Sequence, residues 1–439
     1  MSFNIGLSGL AAANKALNVT GNNIANVATT GFKSSRAEFA DQYAASIRGT
    51  SGKTSVGSGV TTAAVSQQFT QGNITSTGQS LDLAINGNGF FVLSDNGSKV
   101  YTRSGAFYSD KSGNIVDVSG NNLQGYSADT DGKLQTGVLS NLKIDTSNLA
   151  PKATSSISET VNLNSSATTP SVTTFDPANS ASYNYTFNTD TYDSQGNLHA
   201  LNQYFVKNDT DNTWTMYSTI DGVTPNDPGA VPVVPLVNTL SFNSDGTLKD
   251  ITVPTGSTGW TVKTDGTLAL TDWVPAAKAA DGTWAGNGAA PSATGITLDL
   301  LSTTQYNAAS ATTSKDQNGY ATGELTGLSV DGSGNLFANF TNGQDKVIGQ
   351  VVMANFANTQ GLTPIGGTNW KESFASGVAI IGEPDTGTLG DIKSSSLEDS
   401  NVDLTAELVN LIKAQSNYQA NAKTISTEST IMQTIIQMT

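Results

Sequence analysis

The stretch SNVDLTAELVNLIKAQSNYQANAKTISTESTIMQTI, residues 400–435, decides the fold. Leu404, Leu408, Leu411, Gln415, Tyr418, Ala422, Ile425, Ser429, Met432 and Ile436 follow one another at steps of four and three, and most are apolar. That spacing is a heptad seam, which places its side chains on one stripe of a helix. Ser400 followed by Asp403 predicts a capping start. A helix over 402–437 would be about 53 Å long at 1.5 Å per residue. The charged residues of 400–439 are only Asp403, Glu407, Lys413, Lys423 and Glu428, and the remaining surface is Ser, Asn, Thr and Gln. A solvated helix face carries more charge than this. A face that packs against identical neighbours, or lines a water-filled passage without binding what passes, has this composition. One ordinary intramolecular coiled coil is the plainer alternative.

The matching stripe stands at the other end of the chain. Phe3, Leu7, Leu10, Asn14, Leu17, Gly21 and Ile24 repeat the same spacing, and Thr30-Gly31 is a helix stop. Two seams, one at each end, predict a chain that goes out and returns. Each domain between them is then built from an early and a late segment. The fold class that follows is α+β and mainly β. Discontinuous β domains, as hairpin meanders or barrel-like sheets, lie between N- and C-terminal helices that pair as a coiled coil.

The middle of the chain reads as strands. GNGFFVLSDNGSKVYTRSGAFYSDKSGNIVDVSGNNLQGY (87–126) alternates short apolar runs with Gly, Asn and Asp clusters, a meander of hairpins. Tyr183, Tyr185 and Phe187 share one strand face, Leu198, Ala200, Tyr204 and Val206 another, and Trp214, Met216 and Ile220 a third. DKSGNI (110–115), DTDGKL (129–134), DSQGNL (193–198), NSDGTL (243–248) and DGSGNL (331–336) repeat one turn. Asp or Asn bonds the backbone, Gly takes positive φ, and a strand follows. Calcium loops are the rival reading, but the Asp ladder and closing Glu of an EF-hand are missing. VTPNDPGAVPVVP (223–235) is too Pro-rich for a central strand. RGTSGKTSVGSGVTT (48–62) reads as loop or connector.

The expected organisation is a terminal helical domain of 1–31 plus 397–439 and an extended connector at 32–70. An inner β domain of 71–145 plus 315–396 and an outer part at 146–314, one β domain or two, complete it. The 439 residues suggest about three domains.

Composition bounds the function. A net charge of -15 lacks the basic footprint of a nucleic-acid binder and would be repelled by an anionic membrane. There is no cysteine, which removes disulfides, thiolate chemistry and Cys-based metal sites. No apolar run reaches about 18 residues, so no membrane insertion is expected. MSFNIGLSGLAAANKAL has no positive n-region, so any export is expected to proceed without a cleaved signal peptide.

The same segments carry a resemblance. LSGLAAANKALNVTGNNIANVATTGFKSSRAEF (7–39) resembles the N-terminal signature of flagellar rod and hook axial proteins, and 400–435 resembles their C-terminal signature. NGNGFFVL (86–93) with YTRSGAF (101–107) looks like the start of their inner β domain. Residues 349–404 are similar to the hook members in particular, and the insertion at about 146–314 is too large for the rod members. The resemblance covers roughly 230 residues. It implies a structural, non-enzymatic subunit of the bacterial flagellar hook, extracellular, exported through the flagellar type III apparatus, that polymerises into a bent tube working as a universal joint. It implies as partners neighbouring copies, the distal rod, the hook cap scaffold and the hook–filament junction proteins. Phe3, Leu7, Leu10, Leu17, Ile24, Leu404, Leu408, Leu411, Tyr418, Ile425, Met432 and Ile436 would hold the inner tube. Asn22, Asn23, Asn26, Gly31, Phe32, Asn401, Asp403 and Gln415 are the signature residues.

Other classes fit less well. The single histidine, His199, has no nucleophile partner that can be named. GTSGKT (49–54) has two residues between its glycines where a phosphate loop has four. Among many carboxylates no pair is marked out by apolar surroundings of the kind glycosidase chemistry uses. No cofactor or metal is therefore expected. A monomeric β-rich adhesin would not need both terminal seams. Another rod or hook family member is disfavoured by length and by 349–404.

Overall fold

The computed structural model describes residues 2–42, 57–257 and 259–438. The phosphate-loop reading of 49–54 and most of 48–62 lie outside the described residues. The chain divides into two compact units, residues 1–146 with 326–339 and 345–439, and residues 147–325 with 340–344.

The first unit holds both helices, α1 (Ser2–Ala25) and α2 (Leu404–Met438). Within the segment expected as a connector, Ser35–Asp41 and Val60–Gln67 pair as antiparallel strands. Early and late segments then interleave. Ile74–Ser76 pairs with Ser396–Glu398, and Leu83–Asn86 pairs with Asp391–Ser394. Phe90–Asp95 pairs with both Ser98–Thr102 and Met353–Asn355. Its apolar run is buried on both faces, which is why it reads as continuous rather than alternating. Gly87 and Gly89, at φ +115 and +127, turn the chain into this strand in a region closed to other residues. Around Phe90, the rings of Phe69, Phe356 and Trp370 pack at centroid distances of 5.6, 5.8 and 5.7 Å. These edge-on contacts form the centre of this core.

The second unit joins two five-stranded sheets over one core. One is a simple meander, Tyr185–Tyr192, Leu198–Lys207, Thr213–Ile220, Leu236–Phe242 and Leu248–Thr252. The other runs Trp260–Val262, Leu268–Leu270, Ile296–Asp299, Ser156–Asn162 and Ala311–Gln317. Trp214, Met216 and Ile220 face the shared core. On the neighbouring strand the core-facing row is His199, Leu201, Gln203 and Phe205, while Leu198, Ala200, Tyr204 and Val206 line the opposite face. Alternation alone gives two faces and leaves the choice between them to the packing.

The recurring turns form as expected. Asp110 Oδ1 accepts from the Ser112 and Asn114 amides, and Asp193 does the same for Gln195 and Asn197. Asp117 repeats the geometry at 117–121, a further copy of the turn. In 243–248 the Asp beside the Gly acts instead, with Asp245 Oδ1 accepting from the Thr247 amide and hydroxyl. In every case the carboxylate is engaged by its own turn.

Candidate assembly surface on the terminal helices

α1 and α2 pack antiparallel, but along a row one residue from the expected seam. On α1 the buried or half-buried row is Gly6, Gly9, Ala13, Ala16, Thr20 and Asn23, at the same steps of three and four. On α2, Glu407, Leu411, Ala414, Asn421, Ala422, Ile425 and Glu428 are buried or half-buried, so the inward face takes in 414 and 421, while 408 and 415 of the expected seam stay exposed. A Cβ added at Gly6 would stand 3.0 Å from Ile425 Cγ1, and one at Gly9 only 2.3 Å from Asn421 Oδ1. Small residues let two helix backbones approach closely, and here that closeness outweighs the burial of larger side chains. The apolar residues expected at the seam are therefore distributed. Leu10, Leu17, Ile24, Leu411 and Ile425 are half-buried. Phe3 (47% exposed), Leu7 (51%), Leu408 (45%) and Ile436 (69%), together with Leu404, Tyr418 and Met432, stay open to solvent.

The helices differ in length. With Gly6 against Ile425 and Gly9 against Asn421, the first described residue of α1 lies level with about residue 429 of α2. Beyond it α2 carries Ile431, Met432, Ile435, Ile436 and Met438, all exposed. At about 100° per residue these five cover close to half of the helix surface. Thr424, Thr427, Thr430 and Thr434 each donate their hydroxyl to the carbonyl four residues earlier. Their hydrogens are used inside the helix, so these four positions present methyl groups rather than donors.

Seven signature residues meet at the joint where α1 ends and α2 begins. α1 stops at Ala25, short of the expected 31: the Asn26 amide still bonds Asn22 O, but the amides of Val27 and Thr29 turn to the carbonyls three residues back, and the Asn26 side chain donates to Asn22 O at 2.9 Å and accepts from Thr29 Oγ1 at 3.1 Å. Asn23 is buried and exchanges two bonds with the Ser35 backbone, Nδ2 to O at 2.8 Å and N to Oδ1 at 2.9 Å. Gly31, at φ +68, donates to Glu398 O, and a Cβ there would stand 2.5 Å from Ser104 N. Phe32 is half-buried beside it, and its carbonyl accepts from the Asn401 amide. Asn401 accepts from Ser34 N at 2.7 Å and donates to Gln68 O at 2.7 Å. The cap of α2 is Asp403, whose Oδ1 accepts from Thr405 and Ala406, and not the expected Ser400, whose hydroxyl accepts from Val402 N. Gln415 stands apart from this joint, exposed on α2.

The joint closes over an ion cluster that sequence reading missed. Lys33 Nζ lies 2.7 Å from Glu398 Oε1, and Arg103 Nη1 3.2 Å from Oε2, with both acid and lysine side chains fully buried. Lys33 also donates to Thr70 O, Arg103 to Gly87 O, and Gly72 N to Glu398 Oε1. Burial pulls the lysine pKa down, against the raising effect of Glu398's charge and hydrogen bond. The three residues lie far apart in the sequence, so spacing gave no signal.

Comparison with known proteins follows this geometry along the chain. Family models for the flagella basal body rod protein match residues 3–33, for the flagellar hook protein FlgE/F/G D1 domain 84–172, for the flagellar basal body protein FlaE D2 domain 162–320, and for the flagellar basal body rod FlgEFG protein C-terminal 393–438. All four describe axial proteins of the flagellum. Flagellar hook protein FlgE of Escherichia coli K12 is 40% identical over 442 residues, and that of Salmonella typhimurium 41% over 443, each alignment covering 100% of both chains. The chain belongs to the flagellar hook protein family. The crystal structure of Helicobacter pylori flagellar hook protein FlgE2 shares the fold at a TM-score of 0.52 and 15% identity, covering 74% of this chain and 100% of that one.

Proposed function

We propose that this chain is a non-catalytic structural subunit that polymerises into the bacterial flagellar hook, a bent extracellular tube carrying torque from rod to filament. The observation that carries this reading is the apolar surface on α2 that α1 does not cover. Leu404, Leu408, Val409 and Ile412 near its start, and Ile431 to Met438 at its end, are exposed. Burying each such side chain contributes about 1.5–3 kcal/mol, so copies that cover one another's rows gain cohesion that one chain does not supply. Phe3 and Leu7 on α1 are exposed as well. The sparse charge of the terminal helices and the back-bonded threonines of α2 suit a channel through which unfolded chains pass without sticking. Among the described residues, no helix is long and apolar enough to cross a membrane.

Neighbouring copies are the principal partners in this reading. The distal rod, the cap scaffold, the junction proteins and the flagellar export apparatus meet the chain at the ends of the tube or on the way to it. Electron microscopy of the purified chain under salting-out conditions tests it, beside a form lacking 1–70 and 397–439. Tubes from the full chain and monomers from the truncated one support assembly through the helices. Tubes from both would move the contacts to the β units and overturn the helix account.

A further inference from the structure

The one histidine of the chain sits in the second unit, and the assembly reading makes no use of it. His199 is 3% exposed, on the strand Leu198–Lys207. Its Nδ1 lies 2.6 Å from Asp221 Oδ2, and its Nε2 lies 3.2 Å from Asp193 Oδ2. Trp273 packs edge-on against the ring at 5.1 Å, and Thr191 of the adjacent strand donates to the His199 carbonyl. Asp221 also accepts from Ala200 N at 2.8 Å. Asp193 Oδ2 accepts in addition from Asn197 Nδ2 at 2.8 Å and Asn287 Nδ2 at 2.9 Å. Asn287 follows the hairpin of Ala276–Lys278 and Trp284–Gly286, and the next residues are tied down by Ser194 N to Ala290 O at 2.9 Å. Among the described residues lining the cleft over this ring, the charged side chains besides His199 are Asp221 and Lys278 of the hairpin, with Asp193 beneath.

We propose that His199 is a protonated clasp, an imidazolium held between Asp193 and Asp221, whose loss of a proton loosens the hairpin 276–286 from the sheet beneath it. Carboxylate oxygens only accept, so a ring with a carboxylate on each nitrogen needs a hydrogen on both. A neutral ring carries one. It stays on Nδ1, at the shorter contact, and the Nε2 lone pair then faces Asp193 Oδ2, the same atom that holds Asn287. Burial works against the charged ring, but the hydrogen bonds and charges of the two aspartates outweigh it and raise the His199 pKa. A raised folded-state pKa contributes stability that is complete below the ordinary value of about 6.5 and fades as pH climbs through the folded value. The clasp is therefore closed on the acid side of about 6.5 and opens as pH climbs through the folded value.

Because His199 is the sole histidine, selective ¹⁵N-histidine labelling of the full chain gives one imidazole to titrate. The expected result is a ring with both nitrogens protonated on the acid side and a midpoint above about 6.5. Amide exchange over 276–290, corrected for its intrinsic pH dependence, should rise by up to about tenfold per pH unit between about 6.5 and that midpoint and level off above it, while 223–235 changes little. His199→Gln should exchange fast over 276–290 at every pH. A midpoint at or below about 6.5, or the same corrected pH dependence in His199→Gln as in the natural chain, would overturn the proposal. If the variant does not fold, the titration of the natural chain still decides.

Discussion

Glu398 concentrates more consequence than any other side chain in the first unit. It accepts from Lys33, Arg103 and the Gly72 amide, and its own carbonyl accepts from Gly31. Glu398→Gln keeps the shape and removes the charge, leaving two buried cations without a counter-ion. Breaking a buried pair from one side costs about 3–5 kcal/mol. Urea unfolding followed by the near-ultraviolet signal of Trp370 and its neighbours should show a loss of that size for this unit. A shift below about 1 kcal/mol, the range of exposed pairs, would mean the cluster contributes little. Gly31→Ala at the same joint faces both a positive φ and the Ser104 amide, and is expected to lose stability measurably in the same assay. The role of Lys33, Arg103 and Glu398 was not legible in the sequence. Each is an ordinary surface type, and only the return of the chain end brings them together. The signature asparagines were legible as a set, but not as clips: Asn23 and Asn401 satisfy backbone groups of Ser35, Ser34 and Gln68 that no local pattern connects.

Among the elements, the helix pair separates two functions along its surface. Ile425 packs against Gly6 within the chain, whereas Leu408 is exposed. Ile425→Asp should therefore lower the helical circular-dichroism signal of the free chain and abolish tubes. Leu408→Asp should leave that signal unchanged and raise the concentration needed for assembly at least about tenfold, the effect of roughly 1.4 kcal/mol lost per contact. Equal helix loss in both variants would contradict the division. Gly9→Leu adds a side chain where a single Cβ already meets Asn421, and overpacking of this kind costs about 1–3 kcal/mol. It is expected to part α1 from α2 and to be seen as early loss of helix on heating. Heptad spacing predicted both helices and their pairing. It did not find the row that pairs, because a hydrophobicity pattern weights large side chains, and close approach is made by small ones.

At the scale of the whole molecule, the long segment of the second unit, 147–325, starts and ends side by side. Leu149 and Gly323 bridge at 2.8 Å, and Lys152 and Tyr320 bridge at 3.0 Å. Excising 150–322 and joining the ends through a short turn should thus leave the first unit folded, with an unchanged unfolding midpoint and tubes under salting-out conditions. Failure of the first unit to fold would show that its core depends on the excised part. Ending the chain at 428 should do the reverse: both units keep their unfolding transitions, and tubes fail to form because Ile431 to Met438 are gone.

Two terminal heptads, a meander of strands with Asp–Gly turns, and early and late segments that had to meet were all written in the chain, since periodicity and turn chemistry are local properties of a sequence. Which helix row is buried, which strand face of 198–207 looks inward, which carboxylates flank His199, and how Glu398 comes to lie between two cations were decided by the tertiary structure alone. Each depends on residues brought together across long stretches of chain, where close packing and the pairing of buried charge, not local preference, set the free energy.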